Sequence, residues 1–147
     1  MCKEMKRYTL LLIALFLGTC AFAQSVSEGT VVKRERRKSM TVKEWNTPNG
    51  SKQAYLDHVT TYDSLGRKIE EIEYASYGQK SRVVSEYPAG SDVTAKVLRE
   101  IEYNDRDKVV RIRKFEYHPD GTKKRQLNYY PNGKLESVKV FEYIPKD

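Results

Sequence analysis

Tyrosines that recur at nearly equal intervals constrain the fold of this chain more than any other feature of its sequence. Successive members of the series are separated by 12 to 16 residues, and most of them end a similar phrase such as EIEY, VSEY, KFEY or VFEY. A repeated spacing of this kind is typical of an internal structural repeat. The sequence therefore predicts a unit of 13–14 residues, copied along most of the chain, that ends at Tyr62, Tyr74, Tyr87, Tyr103, Tyr117, Tyr130 and Tyr143.

Turn signals separate the copies of the unit. In TPNG, HPDG and YPNG, proline occupies the second position, where a type I turn needs φ near about −65°, and glycine occupies the fourth, where positive φ costs it nothing. This pattern is typical of a type I turn with a G1 bulge, a common hairpin connection. Asp107 takes the glycine position in NDRD and tolerates left-handed geometry less well. The signals are TPNG at 47–50, DSLG at 63–66, PAGSD at 88–92, NDRD at 104–107, HPDG at 118–121 and PNG at 131–133.

The segments between the turns are rich in Val, Ile, Phe, Tyr and Thr, as β-strands are. Apolar residues recur two and five positions before the tyrosine, as Phe141 and Val138 do before Tyr143. These two positions lie on opposite faces of a regular strand, so either each strand contains a bulge or both faces are partly buried. No segment shows helical periodicity with caps. We therefore expect an all-β fold, an antiparallel meander of about seven to nine strands in a strongly twisted sheet or an open or closed barrel.

The first residues have the composition of an export signal. A basic start is followed by the apolar run LLLIALFLGTCAFA, which ends in an A-x-A site. The run is too short for a comfortable membrane span, so we predict a signal peptide at 1–23 that is cleaved before Gln24. One alternative is a lipoprotein, with LGTC as its lipobox and Cys20 as its anchor, and another is an uncleaved anchor. The predicted location is the periplasm or the extracellular space.

Cleavage would leave 124 residues, which suits one domain with a modest core. We expect a basic N-terminal arm with the first strand or strands at 24–46, joined in one domain to a β-repeat domain at 47–147. Both cysteines, Cys2 and Cys20, lie in the signal, so the predicted mature protein has no disulfide and no cysteine-based metal site. No later segment of the sequence is apolar enough to span a membrane.

The run KRERRK at 33–38 interrupts an otherwise mixed pattern of charge. The formal net charge of +7 falls to +5 when the signal, with its three positive charges and one negative charge, is removed. A basic run of this kind binds phosphate-rich partners. Export argues against nucleic acid as the target and favours anionic envelope glycans or lipid head groups. The alternative is a run without a ligand, in a soluble edge strand or a mobile arm.

Two stretches resemble known repeat families. YDSLGRKIEEIEY at 62–74 resembles the tyrosine–aspartate repeats of Rhs-type proteins, which carry a Y-D-x-x-G-R pattern. YYPNGKLESVKVFEY at 129–143 is similar to MORN-like variant repeats, whose signature includes Y-x-N-G-K. The resemblance implies scaffolds and interaction surfaces and carries over no catalytic residue. Seven short copies are too few to form the shell that Rhs-type repeats build.

The residues that could carry catalysis or bind a metal do not form a recognisable site. His58 follows Asp57 in a strand, where successive side chains point to opposite faces, and His118 lies in a turn. Asp105 and Asp107 are predicted to stabilise the NDRD turn rather than to bind calcium. Glutamates recur in almost every strand, as solvent-facing residues do, and not as one catalytic pair. We predict no catalytic, metal or cofactor-binding residue, and a protein that is not an enzyme.

The seven tyrosines are the candidate binding residues. As a cross-strand ladder they would be structural, each pair adding about 0.5–1.5 kcal/mol, whereas an exposed stripe would stack on sugar rings or contact a partner. Ser64 is a candidate O-glycosylation site, because DSL at 63–65 resembles the Asp-Ser/Thr-apolar motif that some Gram-negative bacteria glycosylate.

Together these features predict an exported, non-catalytic β-repeat module of the bacterial cell envelope, which binds an envelope glycan or another envelope protein. The alternative function is that of a structural or accessory envelope protein, which completes an assembly, as an oligomer, without a ligand.

Overall fold

The fold is known from a computed structural model that describes residues 29–145. Most of the regular structure in this range is β-strand, as the sequence predicts. The predicted signal peptide, its cleavage site and Cys20 lie outside the described residues. The strands are β1 (Thr41–Asn46), β2 (Tyr55–Tyr62), β3 (Lys68–Ala75), β4 (Gly78–Glu86), β5 (Arg99–Tyr103), β6 (Val109–Tyr117), β7 (Lys123–Tyr129) and β8 (Leu135–Val140).

The eight strands form one antiparallel sheet, and their order in the sheet is their order in the sequence. The predicted meander is therefore confirmed. β1 and β8 lie at the two outer edges and do not pair with each other, so the sheet is open and is not a barrel. Contacts between strands are confined to neighbours in sequence. Within the described range, no helix has the length and apolar character needed to cross a membrane.

Four hairpins share the predicted turn. The N–H of the fourth turn residue donates to the carbonyl of the first, with N to O distances of 2.9 to 3.1 Å. The fourth residue has positive φ in each case, including 55° at Asp107, where glycine is missing. These hydrogen bonds and dihedrals confirm the type I turn with a left-handed fourth residue. The four turns are Asp63–Gly66, Asn104–Asp107, His118–Gly121 and Tyr130–Gly133.

The TPNG turn differs from this expectation by one position. Its hydrogen bond runs from the N–H of Ser51 to the carbonyl of Pro48, so Gly50, with φ of 82°, is the third residue and not the fourth. Positive φ at the third position is typical of a type II turn. The connection between β4 and β5 contains the same arrangement, from Pro88 to Ser91. Both turns belong to longer connections, in which the strands are not joined by a tight hairpin.

Two elements of the structure were not predicted. Ser76 and Tyr77 form a two-residue turn between β3 and β4, where the sequence offers only a following glycine as a signal. Residues 29–35 form a short helix, which no pattern in the sequence indicated. The basic run at 33–38 lies in this helix and the turn after it, and not in an edge strand. A helix this short is stabilised by its packing on the rest of the chain, which its own sequence does not reveal.

A register shift directly before the strand-terminal tyrosine recurs at five of the seven strand pairings. At one of them Glu102 pairs with Arg111 and Tyr103 pairs with Val109, which leaves an extra residue on the following strand. These are β-bulges, one of the two alternatives that the apolar spacing left open. The bulges lie at the start of the following strand, however. The apolar residues two and five positions before each tyrosine therefore remain on opposite faces. Ile112 pairs with Ile101 on one face, and Phe115 lies on the other.

The two faces of the sheet differ in character. We define the apolar face by a row of aliphatic side chains whose register pairs Val59 with Ile72, Val84 with Ile101, Ile101 with Ile112, and Leu127 with Val138. On the opposite face, which we call the charged face, the centre of the sheet carries charged pairs instead, of Glu100 with Arg113 and of Glu102 with Arg111. On the apolar face, ion pairs such as Arg82 with Glu70 and Arg99 with Glu86 flank the aliphatic row. The side chains that are buried all lie on the charged face, and among the described residues Phe115 is the only apolar one of them; the others are Thr60, Ser85 and Asn128. The sheet is thus a single layer with little core.

Candidate binding surface

The strand-terminal tyrosines form two rows and not one ladder. Each tyrosine lies at the end of a strand or, like Tyr87 and Tyr143, one to three residues beyond it. Successive strands run in opposite directions, so neighbours in the series lie at opposite ends of the strands. The helix rim, where residues 29–39 and the connections after β2, β4 and β6 lie, carries Tyr62, Tyr87, Tyr117 and Tyr143 on the side of the charged face. The opposite rim carries Tyr74, Tyr103 and Tyr129 on the apolar face.

The idea of a cross-strand tyrosine ladder is wrong, because the register pairs tyrosines with other residue types. Tyr117 pairs with Lys123, for example, and Tyr62 with Lys68. In the sixth copy of the repeat, the residue at the end of the strand is not the one predicted. Tyr129 takes the strand-terminal place there, while Tyr130 is the first residue of the next turn and is exposed.

Three tyrosines of the helix rim are tied to the backbone. The hydroxyls of Tyr87, Tyr117 and Tyr143 donate to carbonyls 19 or 20 residues earlier, at 3.1, 2.8 and 3.0 Å. Burial raises the pKa of the Tyr117 hydroxyl to about 12, and burial also raises the pKa of Tyr87. The hydroxyls of these residues therefore serve the fold, and the ring of Tyr87 is also covered, because the guanidinium of Arg67 lies 4.5 Å from its centroid.

Two tyrosines of the opposite rim are covered by cations of the same chain. The guanidinium of Arg82 lies 4.1 Å from the ring centroid of Tyr103, and the ammonium of Lys114 lies 5.2 Å from that of Tyr129. Arg82 is itself held by Glu70 at 3.3 Å and Asp107 at 3.1 Å. A ring beneath a fixed cation is less available for stacking on a sugar. These tyrosines do not form an open aromatic stripe.

The short helix packs on the turn after β2. Gly66 is buried with φ of 72°, and a Cβ at this position would overlap the backbone carbonyl of Arg34. The guanidinium of Arg34 donates to the carbonyls of Val93 and Ala95, and lies 5.8 Å from the ring centroid of Tyr87. Three segments that are distant in sequence therefore meet at the helix rim: the helix, the first tight turn and the connection between β4 and β5.

A pocket of about 490 Å³ lies at this junction, and we call it the cationic pocket. Two tyrosine rings and four basic side chains contribute to its wall, and no carboxylate of the described residues does. Arg37 lies over one of the rings, with its guanidinium 5.1 Å from the centroid of Tyr62. The lining residues are Gly29, Thr30, Lys33, Arg34, Arg37, Tyr62, Gly66, Lys68 and Tyr87.

The carboxylates nearest to the cationic pocket are already paired. Asp63 contacts Arg67 at 2.8 Å, Glu71 contacts Lys68 at 2.8 Å, and Glu35 contacts Lys38 at 2.7 Å. Burial opposes the charged form of Asp63, but hydrogen bonds from the backbone and side chain of Arg67 outweigh burial and lower its pKa. Within the described residues, Lys33 and Arg37 have no such carboxylate partner. The pocket therefore holds an excess of positive charge.

A second, shallower pocket of about 660 Å³ lies farther along the helix rim. His118 and Tyr143 meet there edge to face, with ring centroids 6.4 Å apart. Asp120 and Glu142 line the same pocket, which makes it less suited to an anion than the cationic pocket. His118, expected in an exposed turn, is half-buried.

The other sequence candidates are dispersed. Asp57 and His58, expected on opposite faces, contact each other at 3.1 Å between Oδ2 and Nδ1. That expectation fails because Asp57 is the extra residue of a bulge, in which Glu44 pairs with His58 and Trp45 with Leu56. In the described part of the chain, no three His, Cys, Asp or Glu residues are grouped closely enough to hold a metal ion. The side chain that orders the NDRD turn is Asn104, whose Oδ1 accepts hydrogen bonds from the N–H groups of Arg106 and Lys108, and not Asp105 or Asp107 as predicted. The carboxylate of Asp107 instead accepts hydrogen bonds from Gln79 and Arg82 of β4, which lower its pKa.

Ser64 is exposed at the tip of the turn after β2. Asp63 precedes it and accepts hydrogen bonds from the N–H groups of Leu65 and Arg67 through Oδ1, both at 2.9 Å. These bonds order the turn and leave the serine hydroxyl without a role in it. O-glycosylation of Ser64 stays a prediction.

The basic run and the tyrosine repeat are separate features of the sequence, and only the fold brings them together. Arg34, Arg37, Tyr62 and Tyr87 come together only because Gly66 lets the helix approach the turn. The fold and this surface define an open antiparallel meander with a charged, aromatic pocket at one rim.

Comparisons with known proteins add no family to this description. No family model and no curated protein matches the sequence significantly. Among solved structures, the chain is similar to a crystallised mutant of TarM from S. aureus, in complex with fondaparinux, α-GlcNAc-glycerol and UDP. The two are 14% identical, the TM-score is 0.28, and the match covers 80% of this chain but only 22% of the other. A likeness this low identifies neither fold nor function.

Proposed function

We propose that this protein is an exported, non-catalytic binding module of the bacterial cell envelope, and that it binds another envelope protein through its apolar face. The observation that carries the proposal is the aliphatic row on that face. It runs across the sheet from Val59 to Val138; Val138 is 45% exposed and the other members are half-buried. An apolar sheet face is ordinarily covered by a second layer of secondary structure, and no described element supplies one.

The chemistry of the row favours protein over glycan as the partner. Sugars are bound by accessible aromatic faces and by hydrogen-bonding side chains. The apolar face offers aliphatic Val, Ile and Leu side chains instead, and its tyrosines Tyr103 and Tyr129 lie beneath Arg82 and Lys114. Aliphatic surface of this kind is matched by apolar side chains of a partner, with burial worth about 25 cal/mol per Å².

Position-specific photo-crosslinking in the producing cell tests this proposal. A crosslinking residue at Ile101 or Ile112 on the apolar face should capture one defined envelope protein, while the same residue at Glu102 on the charged face should not. Val84→Lys, which places a charge in the row, should abolish the crosslink, and Gln53→Lys, which adds the same charge in an exposed loop, should leave it intact. Equal capture from both faces would contradict the proposal.

Strand β8 favours the second candidate function, a structural protein that assembles with its own copies. Every residue of β8 is exposed, including Val140 at 72%, and Ile144 beyond it is exposed at 81%. An uncovered edge strand with apolar side chains pairs readily with another strand. Sedimentation over a wide concentration range should then show an oligomer that Val140→Lys disperses. A monomer at all concentrations would remove this alternative.

A further inference from the structure

We propose that the cationic pocket binds a ligand bearing a phosphate ester, with Arg37 as its principal contact. The site lies at the helix rim and uses neither the aliphatic row of the apolar face nor β8, so it is independent of the protein-binding proposal. The ligand is defined by its chemistry, a phosphate on a small polar alcohol such as a sugar or glycerol. In an envelope, that group occurs on phosphorylated glycans and on lipid head groups.

Charge is the first argument for the site. Lys33, Arg34, Arg37 and Lys68 line one cavity, and none of its described lining residues is a carboxylate. Like charges held close together repel, and they repel more strongly where part of the surrounding water is replaced by protein. Nearby carboxylates reduce the repulsion among these four cations only in part. Glu71 pairs with Lys68, and the other two carboxylates nearby pair with Arg67 and Lys38, which do not line the pocket. A bound dianion would remove the remaining repulsion.

The orientation of the arginines is the second argument. Arg34 is fixed by the carbonyls of Val93 and Ala95 and by the ring of Tyr87. It therefore forms a rigid wall of the pocket. Arg37 lies over the ring of Tyr62, with its guanidinium 5.1 Å from the ring centroid, and within the described residues its side chain has no hydrogen-bonded or ionic partner. A guanidinium with free N–H groups can bind phosphate in a bidentate manner.

Size and wall composition are the third argument. A volume of about 490 Å³ is larger than a phosphate group needs and falls within the usual range of small-molecule sites, about 300–1,000 Å³. The rings of Tyr62 and Tyr87 supply an apolar wall beside the cations. A ligand with a phosphate and a compact polyol fits both the charge and the space. The burial of Gly66 against Arg34 holds this wall in place without a ligand.

Titration calorimetry with glycerol 3-phosphate on the purified protein tests the site, with phosphatidylglycerol and phosphatidylcholine vesicles as parallel probes. Arg37→Gln should weaken binding by about tenfold or more, as expected for loss of a charge-assisted contact. Arg36→Gln is the matched control, because Arg36 is the exposed neighbour outside the pocket and carries the same charge. It should change the affinity by less than about twofold. Lys33→Gln should weaken binding in the same direction as Arg37→Gln, and circular dichroism checks that each variant folds.

The outcomes separate the two sources of the phosphate. Binding of free glycerol 3-phosphate that depends on Arg37 and not on Arg36 supports a soluble phosphorylated ligand. Binding only to phosphatidylglycerol vesicles with the same dependence supports a lipid head group. Absence of binding to either probe, or equal sensitivity to the two arginines, overturns the proposal. None of these results alters the crosslinking test of the apolar face.

Discussion

The hydroxyl of Tyr117 donates a hydrogen bond of 2.8 Å to the backbone carbonyl of Val97, which precedes β5. The same relationship links Tyr87 to Lys68 and Tyr143 to Lys123, so it recurs with a period of two strands. Each bond joins the end of an even-numbered strand to the odd-numbered strand before it. The acceptor lies at the first residue of that odd-numbered strand or just before it. The repeat thus fastens the helix rim through side chains as well as through the backbone ladder.

Removing this bond should destabilise the protein measurably. Tyr117→Phe leaves the carbonyl of Val97 without its partner in a half-buried position, and we expect the free energy of unfolding to fall by about 0.5–1.5 kcal/mol. Urea denaturation provides the measurement. Tyr129→Phe is the matched control, because the structure gives the Tyr129 hydroxyl no hydrogen bond, and its stability should be unchanged. Equal losses in both variants would show that the hydroxyl bond is not responsible.

The ionisation of Tyr117 should be displaced to high pH. Burial raises its pKa to about 12, against an ordinary value of 10.0, because the folded protein favours the neutral hydroxyl. The corresponding stability is fully present below pH 10 and is lost as the pH rises toward 12. Ultraviolet difference titration of the protein against Tyr117→Phe should show one tyrosine that ionises late. A midpoint near 10 for that residue would contradict its burial.

Gly66 should tolerate alanine far less well than Gly133 does. Both have positive φ, 72° and 82°, so each alanine suffers the cost of left-handed geometry, about 1–2 kcal/mol. At Gly133 the added methyl group meets open space, whereas at Gly66 it meets the backbone of Arg34. We therefore expect Gly66→Ala to cost about 1–3 kcal/mol more than Gly133→Ala, as overpacking does. Thermal melts compare the two, and equal losses would contradict the close packing of the helix.

Asp63 should contribute to acid sensitivity. Its pKa lies below the ordinary 3.8, so its stabilising effect is present above that pH and is lost as the pH falls through the lowered value. Asp63→Asn keeps an oxygen acceptor for the turn but removes the ion pair with Arg67, and should lower stability at neutral pH by about 1–2 kcal/mol. The free energy of unfolding, measured by denaturation between pH 2 and pH 6, should fall less steeply with decreasing pH in the variant than in the unchanged protein. Parallel curves would exclude Asp63 as a source of the acid effect.

The strands and tight turns could be predicted because their signals are local. Proline and glycine at fixed turn positions, with Val, Ile and Tyr between them, specify a hairpin without reference to the rest of the chain. The apolar spacing also indicated that both faces carry apolar residues, as Ile112 and Phe115 do. Tyr129 was missed as the strand-terminal residue because Tyr130 beside it has the same chemistry and a more regular spacing.

The cationic pocket could not be predicted from local patterns, since it depends on tertiary contacts. The helix at 29–35 is too short and too polar to show periodicity, and it is stabilised by packing on Gly66. The contact between Asp57 and His58 depends on a bulge, which an alternating pattern does not reveal. The openness of the sheet depends on curvature accumulated over all eight strands, and no single turn signal encodes it.

The order of the strands also determines how the molecule would respond to a pulling force. β1 and β8 lie at opposite outer edges, and each strand contacts only its neighbours in sequence. A load applied through the two ends would open the ladder one hydrogen bond at a time, as a zipper opens, instead of shearing many bonds together. Such a sheet would extend at low force and would re-form hairpin by hairpin when the tension is released.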